Sequence, residues 1–308
     1  MSTRSLSSLF SPALAISLVW ANPPGWAGPM PEEKPLWPQT GWDTPIHYDV
    51  PEAMHEHQPE KSSLSGVNRV YSFVSTPTYS IHEPPAGTAT GMGLVICPGG
   101  GFRELWLDRE GHDLALWLKN YGVTSLVLKY RTNTELEGGK RKYPSEVYIP
   151  TVVGDAHQAI RILRSHLVKL NGNSQRIGIC GFSAGGALAM YAVFQPGAST
   201  AKEVNGQPDF AGLFYPGLRN LDAELVKDAK QIPPMFIINA IDDQMTPVTP
   251  CVEFYQLLLK GGAHAELHLY NKGGHGFDMG DDHGNSVALW KQSFVAWLKD
   301  SGFPIRAP

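Results

Sequence analysis

Residues 176–190 run Arg176-Ile177-Gly178-Ile179-Cys180-Gly181-Phe182-Ser183-Ala184-Gly185-Gly186-Ala187-Leu188-Ala189-Met190. An apolar strand-like run (Ile177, Ile179) leads into a serine framed as Gly-x-Ser-x-Gly, and an alanine- and leucine-rich helical run follows. Strand, sharp turn and helix succeed one another without a spacer. Gly181 and Gly185 remove side chains that would clash in so tight a turn. Such an elbow holds the Ser183 hydroxyl clear of the sheet edge. The five-residue frame is short enough to occur by chance; its place between a strand and a helix gives it weight.

Working outward from this elbow, the same alternation recurs. Upstream, strands are expected at Val67–Val74, Tyr79–His82, Gly93–Cys97 and Thr124–Tyr130, with a helix over Gly111–Asn120. A polar loop covers 132–150, and the three- and four-residue spacing of Val152, Ala156, Ala159, Ile160, Leu163 and Leu167 predicts a helix over 151–170. Downstream come the helix Ala184–Phe194, strands at Phe210–Tyr215, Met235–Ala240 and Ala265–Tyr270, and helices near Val252–Lys260 and over 286–299. Strands alternating with helices predict an α/β domain, a mainly parallel central sheet covered by helices on both faces. No Gly-x-Gly-x-x-Gly follows the first strand and no Walker A sequence is present, so nucleotide chemistry loses support.

The composition agrees with one such domain. The chain has 308 residues, 42% hydrophobic and 18% charged, too apolar and too weakly charged for a disordered polymer. Lys+Arg 25 against Asp+Glu 29 gives a net charge of −4, and Lys140-Arg141-Lys142 is the nearest approach to a basic cluster. Nucleic acid is therefore not an expected partner. The three cysteines, Cys97, Cys180 and Cys251, make no disulfide framework, and neither C-x-x-C nor H-E-x-x-H spacing occurs. His55 and His57 lack a third ligand, and no metal or cofactor is expected.

The amino-terminal residues 1–21 have the make-up of a secretory signal: Arg4, an apolar stretch from Leu9 to Trp20, and Val19-Trp20-Ala21 as cleavage site, with Ala27 as a later option. That stretch is too short to span a bilayer, so no stable membrane insertion is expected and the destination is secreted or periplasmic. Residues 22–66 carry prolines at a density that excludes regular helix and read as an extended arm bearing Trp26, Trp37 and Trp42. The catalytic domain is expected over 67–305.

A serine hydroxyl becomes a nucleophile when a base takes its proton. His275 stands in Gly273-Gly274-His275-Gly276-Phe277 just past the last strand, where flanking glycines let a loop present an imidazole. An acid must fix that ring's tautomer. Asp242 and Asp243 both follow the strand Met235–Ala240, and both could reach. The Asp-x-x-x-Pro spacing to Pro247 places Asp243 where hydrolase sequences of this type put the acid. Asp243 is therefore the choice, with Asp242 expected to support the loop and standing as the alternative. Attack on an acyl carbon also needs amide donors for the oxyanion. The run Pro98-Gly99-Gly100-Gly101-Phe102 follows its own strand, and Gly100 and Gly101, with the N–H of Ala184, are the candidates. The chain order Ser183, Asp243, His275 is that of α/β-hydrolases.

With these residues in view, the chain resembles secreted α/β-hydrolase carbohydrate esterases of the acetylxylan/feruloyl-esterase-like group, often labelled xylanase-like. Besides the Pro98–Phe102 run and the Ser183 and His275 motifs, the likeness rests on Glu110-Gly111, Leu118-x-x-x-Gly122-Val123 and Leu128-Lys129-Tyr130-Arg131. It implies a serine esterase that removes acetyl or similar acyl groups from plant-wall carbohydrate or small esters, through Ser183, Asp243, His275 and the glycine run. It does not account for the polar loop 132–150. Trp106, Tyr143, Tyr148 and Tyr215 fall in or beside loops at the same sheet edge, and Trp106 and Tyr215 are the candidates for substrate contact. Two other readings stay open, a prolyl-oligopeptidase-like peptidase and a non-catalytic carbohydrate-binding protein with a relict site.

Overall fold

The computed structural model describes residues 29–38, 45–136, 138–171, 176–195, 204–218, 226 and 231–307. An eight-stranded sheet runs in the order β1-β4-β7-β5-β8-β9-β10-β11. Its strands are β1 (Lys34–Pro35), β4 (Thr78–His82), β7 (Thr124–Lys129), β5 (Gly93–Cys97), β8 (Ile177–Phe182), β9 (Phe210–Phe214), β10 (Met235–Ala240) and β11 (Ala265–Tyr270). Neighbours from β7 to β11 pair parallel, and β4 and β1 add antiparallel at one edge. Every residue of β5, β7, β8, β9 and β10 is buried, as a parallel sheet covered on both faces requires.

The topology fixes where a site can form. From β5 the chain passes through α1 (Asp113–Lys119) to β7 on one side. It then returns through α2 (Ser145–Asn171) to β8 on the other side of β5. Successive connections diverge between β5 and β8, and a crevice opens beyond the carboxyl ends of two such strands. Cys97 and Gly181 are partners across that pair, so the glycine run 99–101 and the Ser183 elbow leave the sheet side by side. Helices α3 (Ala184–Phe194), α4 (Val248–Lys260) and α5 (Trp290–Asp300) complete the layers.

Several expectations need correction. Helix α2 begins at Ser145 and not at 151, so the polar loop is six residues shorter than 132–150. Pro150 lies in its second turn, where the missing N–H forfeits one bond to the preceding turn and the helix continues through it. The helix expected from Gly111 is entered earlier, through a wide π-type turn at Asp108–His112. A three-stranded antiparallel sheet, β2 (Ala53–Glu56), β3 (Arg69–Ser72) and β6 (Glu104–Trp106), had only its middle strand foreseen.

The proline-rich arm is extended, but its described part belongs to the domain. It supplies β1 and β2, buries Leu36, Ile46 and Tyr48 in the core, and sends the Trp37 indole N–H to Asp155 Oδ1 at 2.8 Å. Trp26, Trp42 and the signal-like residues 1–21 lie outside the described residues. Among the described residues no helix is long and apolar enough to cross a membrane.

Candidate active site

Ser183 sits between β8 and α3 at φ 50° and ψ −114°, a conformation that costs a non-glycine residue about 1–3 kcal/mol. Its surroundings enforce it: Ser183 N–H donates to Phe214 O at 2.9 Å, and Ser183 O accepts from Gly217 N–H at 2.9 Å and Ala187 N–H at 3.1 Å. A methyl group on Gly181 would lie 2.2 Å from Gly185 O, and one on Gly185 would lie 2.0 Å from Cys97 O. Both positions are therefore closed to any side chain, for the reason read from the sequence.

The serine hydroxyl lies 3.0 Å from His275 Nε2, and His275 Nδ1 lies 2.8 Å from Asp243 Oδ2. Asp243 is held from below by the Met245 and Thr246 amides, both 2.8 Å from Oδ1, and by Thr246 Oγ1 at 2.7 Å from Oδ2. Burial pushes this carboxyl up, but the hydrogen bonds from His275 and Thr246 outweigh it and hold Asp243 below its ordinary value. It stays an acceptor, and that fixes the proton of His275 on Nδ1 and leaves Nε2 free to take one from Ser183. Asp242 does not reach the ring; its Oδ1 accepts from Gly274 N–H at 2.8 Å and steadies the loop that carries the histidine.

The glycine run divides by function. Gly99 N–H donates to Glu110 Oε2 at 2.7 Å. The amides of Gly100, Gly101 and Ala184 have no protein acceptor among the described residues. Gly100 (φ 128°) would place a methyl group 2.1 Å from Glu104 O, so only glycine fits the turn that aims these amides. The shortened polar loop supports the same turn. Asn133 N–H donates to Phe102 O at 2.6 Å, Thr134 Oγ1 to Arg103 O at 2.6 Å and Arg141 Nη2 to Gly101 O at 2.8 Å. Two Asn133–Tyr143 hydrogen bonds pin that loop to itself.

The aromatic candidates fare differently. Trp106 is half-buried on β6, with its backbone N–H on Gly99 O at 3.2 Å, its indole N–H on Glu104 Oε1 at 3.1 Å, the Arg109 guanidinium 4.7 Å above its ring and the His57 ring at 5.0 Å. It stands at the rim of the oxyanion turn. Tyr215 is not a substrate platform. It is fully buried, with its ring edge-on to His275 at 5.2 Å and to Phe277 at 4.5 Å. Its hydroxyl lies 2.7 Å from Glu110 Oε1 and 3.0 Å from Asp278 Oδ1. The sequence offered only its position at the end of a strand, which serves inward and outward residues alike. Thr246, Arg109 and Asp278 were not foreseen, and Glu110 was noted only as part of a motif.

Glu60, Asp278 and His283 bring three ligand atoms within 4.8 Å of one another. Each is spent internally: His283 Nε2 is 3.2 Å from Glu60 Oε1, and Arg109 Nε is 2.5 Å from Asp278 Oδ2. The guanidinium occupies the side a cation would need. A groove of about 810 Å³ beside α2 and β4, lined by Trp37, Tyr79, His157 and Arg161 among others, includes no residue of the Ser183 site.

Set beside known proteins, the dienelactone hydrolase family model matches residues 142–300, more than half of the chain. The chain belongs to that family. Members are α/β-hydrolases, which agrees with the fold described above and with the resemblance read from the motifs. This family member is 32% identical over 226 residues to an acetylxylan esterase of Xylanibacter ruminicola, a match covering 64% of this chain and 42% of that protein. It is 26% identical over 219 residues to endo-1,4-beta-xylanase B of Butyrivibrio fibrisolvens, covering 61% of this chain and 33% of the relative. The chain thus spans less than half the length of these curated relatives. An acetyl ester-xyloside bifunctional hydrolase from Caldicellulosiruptor lactoaceticus superposes with a TM-score of 0.68 at 25% identity, over 89% of this chain and 98% of its own. A thermophilic esterase of Thermogutta terrifontis, at TM-score 0.60 and 24% identity over 76% of this chain and 92% of its own, shares the fold.

Proposed function

We propose that this protein is a serine carboxylic-ester hydrolase that works through an acyl-enzyme and removes acetyl or similar small acyl groups from plant-wall carbohydrate, outside the cytoplasm. The observation that carries the reading is the unbroken chain Ser183 Oγ–His275 Nε2, His275 Nδ1–Asp243 Oδ2, built on a strained elbow beside amides that have no acceptor among the described residues. Ser183 Oγ attacks the ester carbon while His275 Nε2 takes its proton. The negative charge that develops on the carbonyl oxygen falls to the Gly100, Gly101 and Ala184 amides, each such donor being worth roughly 2.7–4 kcal/mol. His275 returns the proton to the leaving alcohol, then activates water against the acyl-enzyme. The acetylxylan esterase and acetyl ester-xyloside hydrolase relatives support the acyl and sugar classes. Secretion rests on the composition of residues 1–21.

The test is hydrolysis of p-nitrophenyl acetate and labelling by a fluorophosphonate, followed by acetyl-, feruloyl- and glucuronoyl-ester substrates. Wild type turns over the acetate and takes one adduct on Ser183, and Ser183→Ala loses both, with kcat down by roughly 10⁶. Full activity in the variant ends the nucleophile assignment. Absence of any adduct in wild type favours a relict, carbohydrate-binding site.

A further inference from the structure

Behind the candidate site lies a buried polar cluster that the chemistry above does not use. Tyr215 Oη lies 2.7 Å from Glu110 Oε1 and 3.0 Å from Asp278 Oδ1, and it accepts from the Asp278 N–H at 3.2 Å. Glu110 Oε2 accepts from Gly99 N–H at 2.7 Å, at the root of the oxyanion turn. Asp278 follows His275 by three residues, and Arg109, paired with Asp278, donates from Nη2 to Gly276 O at 2.8 Å. Tyr215 also lends its carbonyl to Thr246 Oγ1 at 3.1 Å, beneath Asp243. One side chain is thereby tied to the amide turn, the base loop and the support of the acid.

The hydrogen count in this cluster does not close with both carboxylates ionised. A tyrosine hydroxyl has one proton to donate. Two carboxylate oxygens face it, so one of the two O···O contacts needs a proton from elsewhere. Charge leads to the same count. Arg109 neutralises one carboxylate, and Glu60, which also faces Asp278, is engaged by His283. From α5 the Trp290 indole N–H donates to Asp278 O at 2.9 Å, and Lys291 Nζ donates to Met279 O at 2.5 Å and pairs with Asp281 Oδ2 at 2.5 Å. These contacts go to carbonyls and to Asp281, not to the Asp278 carboxyl. Glu110 and Asp278 are both almost fully buried.

We propose that Glu110, Tyr215 and Asp278 form a brace that shares one extra proton and holds the oxyanion turn and the His275 loop in register, as positioning residues of the ester hydrolase proposed above. Asp278 carries the proton toward Tyr215 Oη, and Tyr215 donates its own to Glu110 Oε1. Burial and then the charge of Glu110 push Asp278 well above the ordinary carboxylate range, with Arg109 opposing. Loss of the shared proton leaves two facing carboxylates on one hydroxyl, and the two loops part.

The brace rests on the esterase reading for its kinetic consequence but not for its spectroscopic one. In full-length wild type at pH 8, infrared spectra show the carbonyl stretch of a protonated carboxyl, and Asp278→Asn or Glu110→Gln removes it. Either amide supplies a donor in place of the proton, so both variants keep kcat on p-nitrophenyl acetate within about threefold, and their alkaline fall-off moves to higher pH. Tyr215→Phe and Asp278→Leu cut the chain and lower kcat roughly 10- to 100-fold with little change in KM, since small misplacements of reacting groups carry penalties of that size. If Tyr215→Phe and Asp278→Leu fail to fold, the infrared band and the two amide variants still decide. A wild-type spectrum without the band, or amide variants whose alkaline limb matches wild type, overturns the brace. A wild type with the band but without hydrolysis or Ser183 labelling overturns the esterase reading and leaves the shared proton standing.

Discussion

Two buried arginine–carboxylate clusters lie at the same edge of the sheet and are built to opposite rules. At the end of β7, Arg131 grips Asp155 of α2 with a two-pronged fork, Nε at 2.8 Å from Oδ2 and Nη2 on Oδ1, while the Trp37 indole adds a third donor. One positive charge meets one negative charge, and both carboxylate oxygens are donated to. Around Arg109 one guanidinium meets two carboxylates and a phenol, and the count closes only with an added proton. The balanced cluster joins β7, α2 and the amino-terminal segment and touches no reacting group. The unbalanced one touches the oxyanion turn and the histidine loop. Charge balance separates the anchor from the part that can respond to pH.

The strongest way to break this contrast is Asp155→Ala. It leaves a buried guanidinium without its carboxylate, and removing one partner of such a pair costs about 3–5 kcal/mol. Unfolding in urea is expected to shift by that amount, while the rate of fluorophosphonate labelling per folded molecule is unchanged. Should labelling fall tenfold or more with stability intact, Asp155 belongs to the site and the distinction between the clusters collapses.

How much of this was legible in the chain follows from how local each feature is. The bounds of β5, β10 and α3 were readable because each is a mostly apolar run punctuated by Gly, Pro or polar residues within a few positions. Those of β11 were readable because Ala265, Leu267 and Leu269 alternate with Glu266, His268 and Tyr270. The Ser183 elbow was readable for the same reason, and the chain order of Ser183, Asp243 and His275 carried the rest of that constellation. The start of α2 was misread because Pro150 looks like a boundary, whereas inside the second turn it removes a single bond. Strands β1, β2 and β6 have two to four residues each, too few for alternation to register. Tyr215 was misassigned because its partners Glu110 and Asp278 are 105 and 63 residues away. Nothing near Tyr215 in sequence tells an inward hydroxyl from an outward ring.

A third buried pair sharpens the comparison by carrying no charge. His82 Nε2 lies 2.8 Å from His112 Nδ1, and burial depresses His82 to about 2 and His112 to about 3, with His112 beside His82 and Arg69 beside His112 adding to it. Both folded values lie below the unfolded 6.5, so the unfolded chain takes up protons first. Their contribution to stability is full above about pH 6.5 and is lost as the pH falls from there toward 3, by about 1.4 kcal/mol per pH unit for each imidazole. Asp113, raised by burial to about 6, and Asp278, also raised, work with the opposite sign because there the folded chain binds the proton first. The readout is therefore a difference. His112→Gln is less stable than wild type at pH 7.5, and its deficit shrinks by about 1 kcal/mol between pH 6.5 and 5.5. A deficit that is constant with pH would mean that His112 is protonated in the fold.

The smallest effect is expected where solvent shares the work. Asp242 is exposed and accepts one amide hydrogen bond, from Gly274, whereas its neighbour Asp243 is buried and accepts from Met245, Thr246 and His275. Water can replace Asp242 at Gly274, so Asp242→Ala loosens the histidine loop without leaving a buried group unpaired. Its kcat on p-nitrophenyl acetate is expected to fall by less than about tenfold, with an unchanged pH profile, because a single net hydrogen bond contributes about 1 kcal/mol. Asp243→Ala, by contrast, removes the group that sets the tautomer of His275, a change of roughly 10⁴-fold in triads of this kind. If the two alanine variants lose activity to the same degree, the imidazole takes its orientation from both carboxylates, and burial no longer separates a group that directs chemistry from one that steadies a loop.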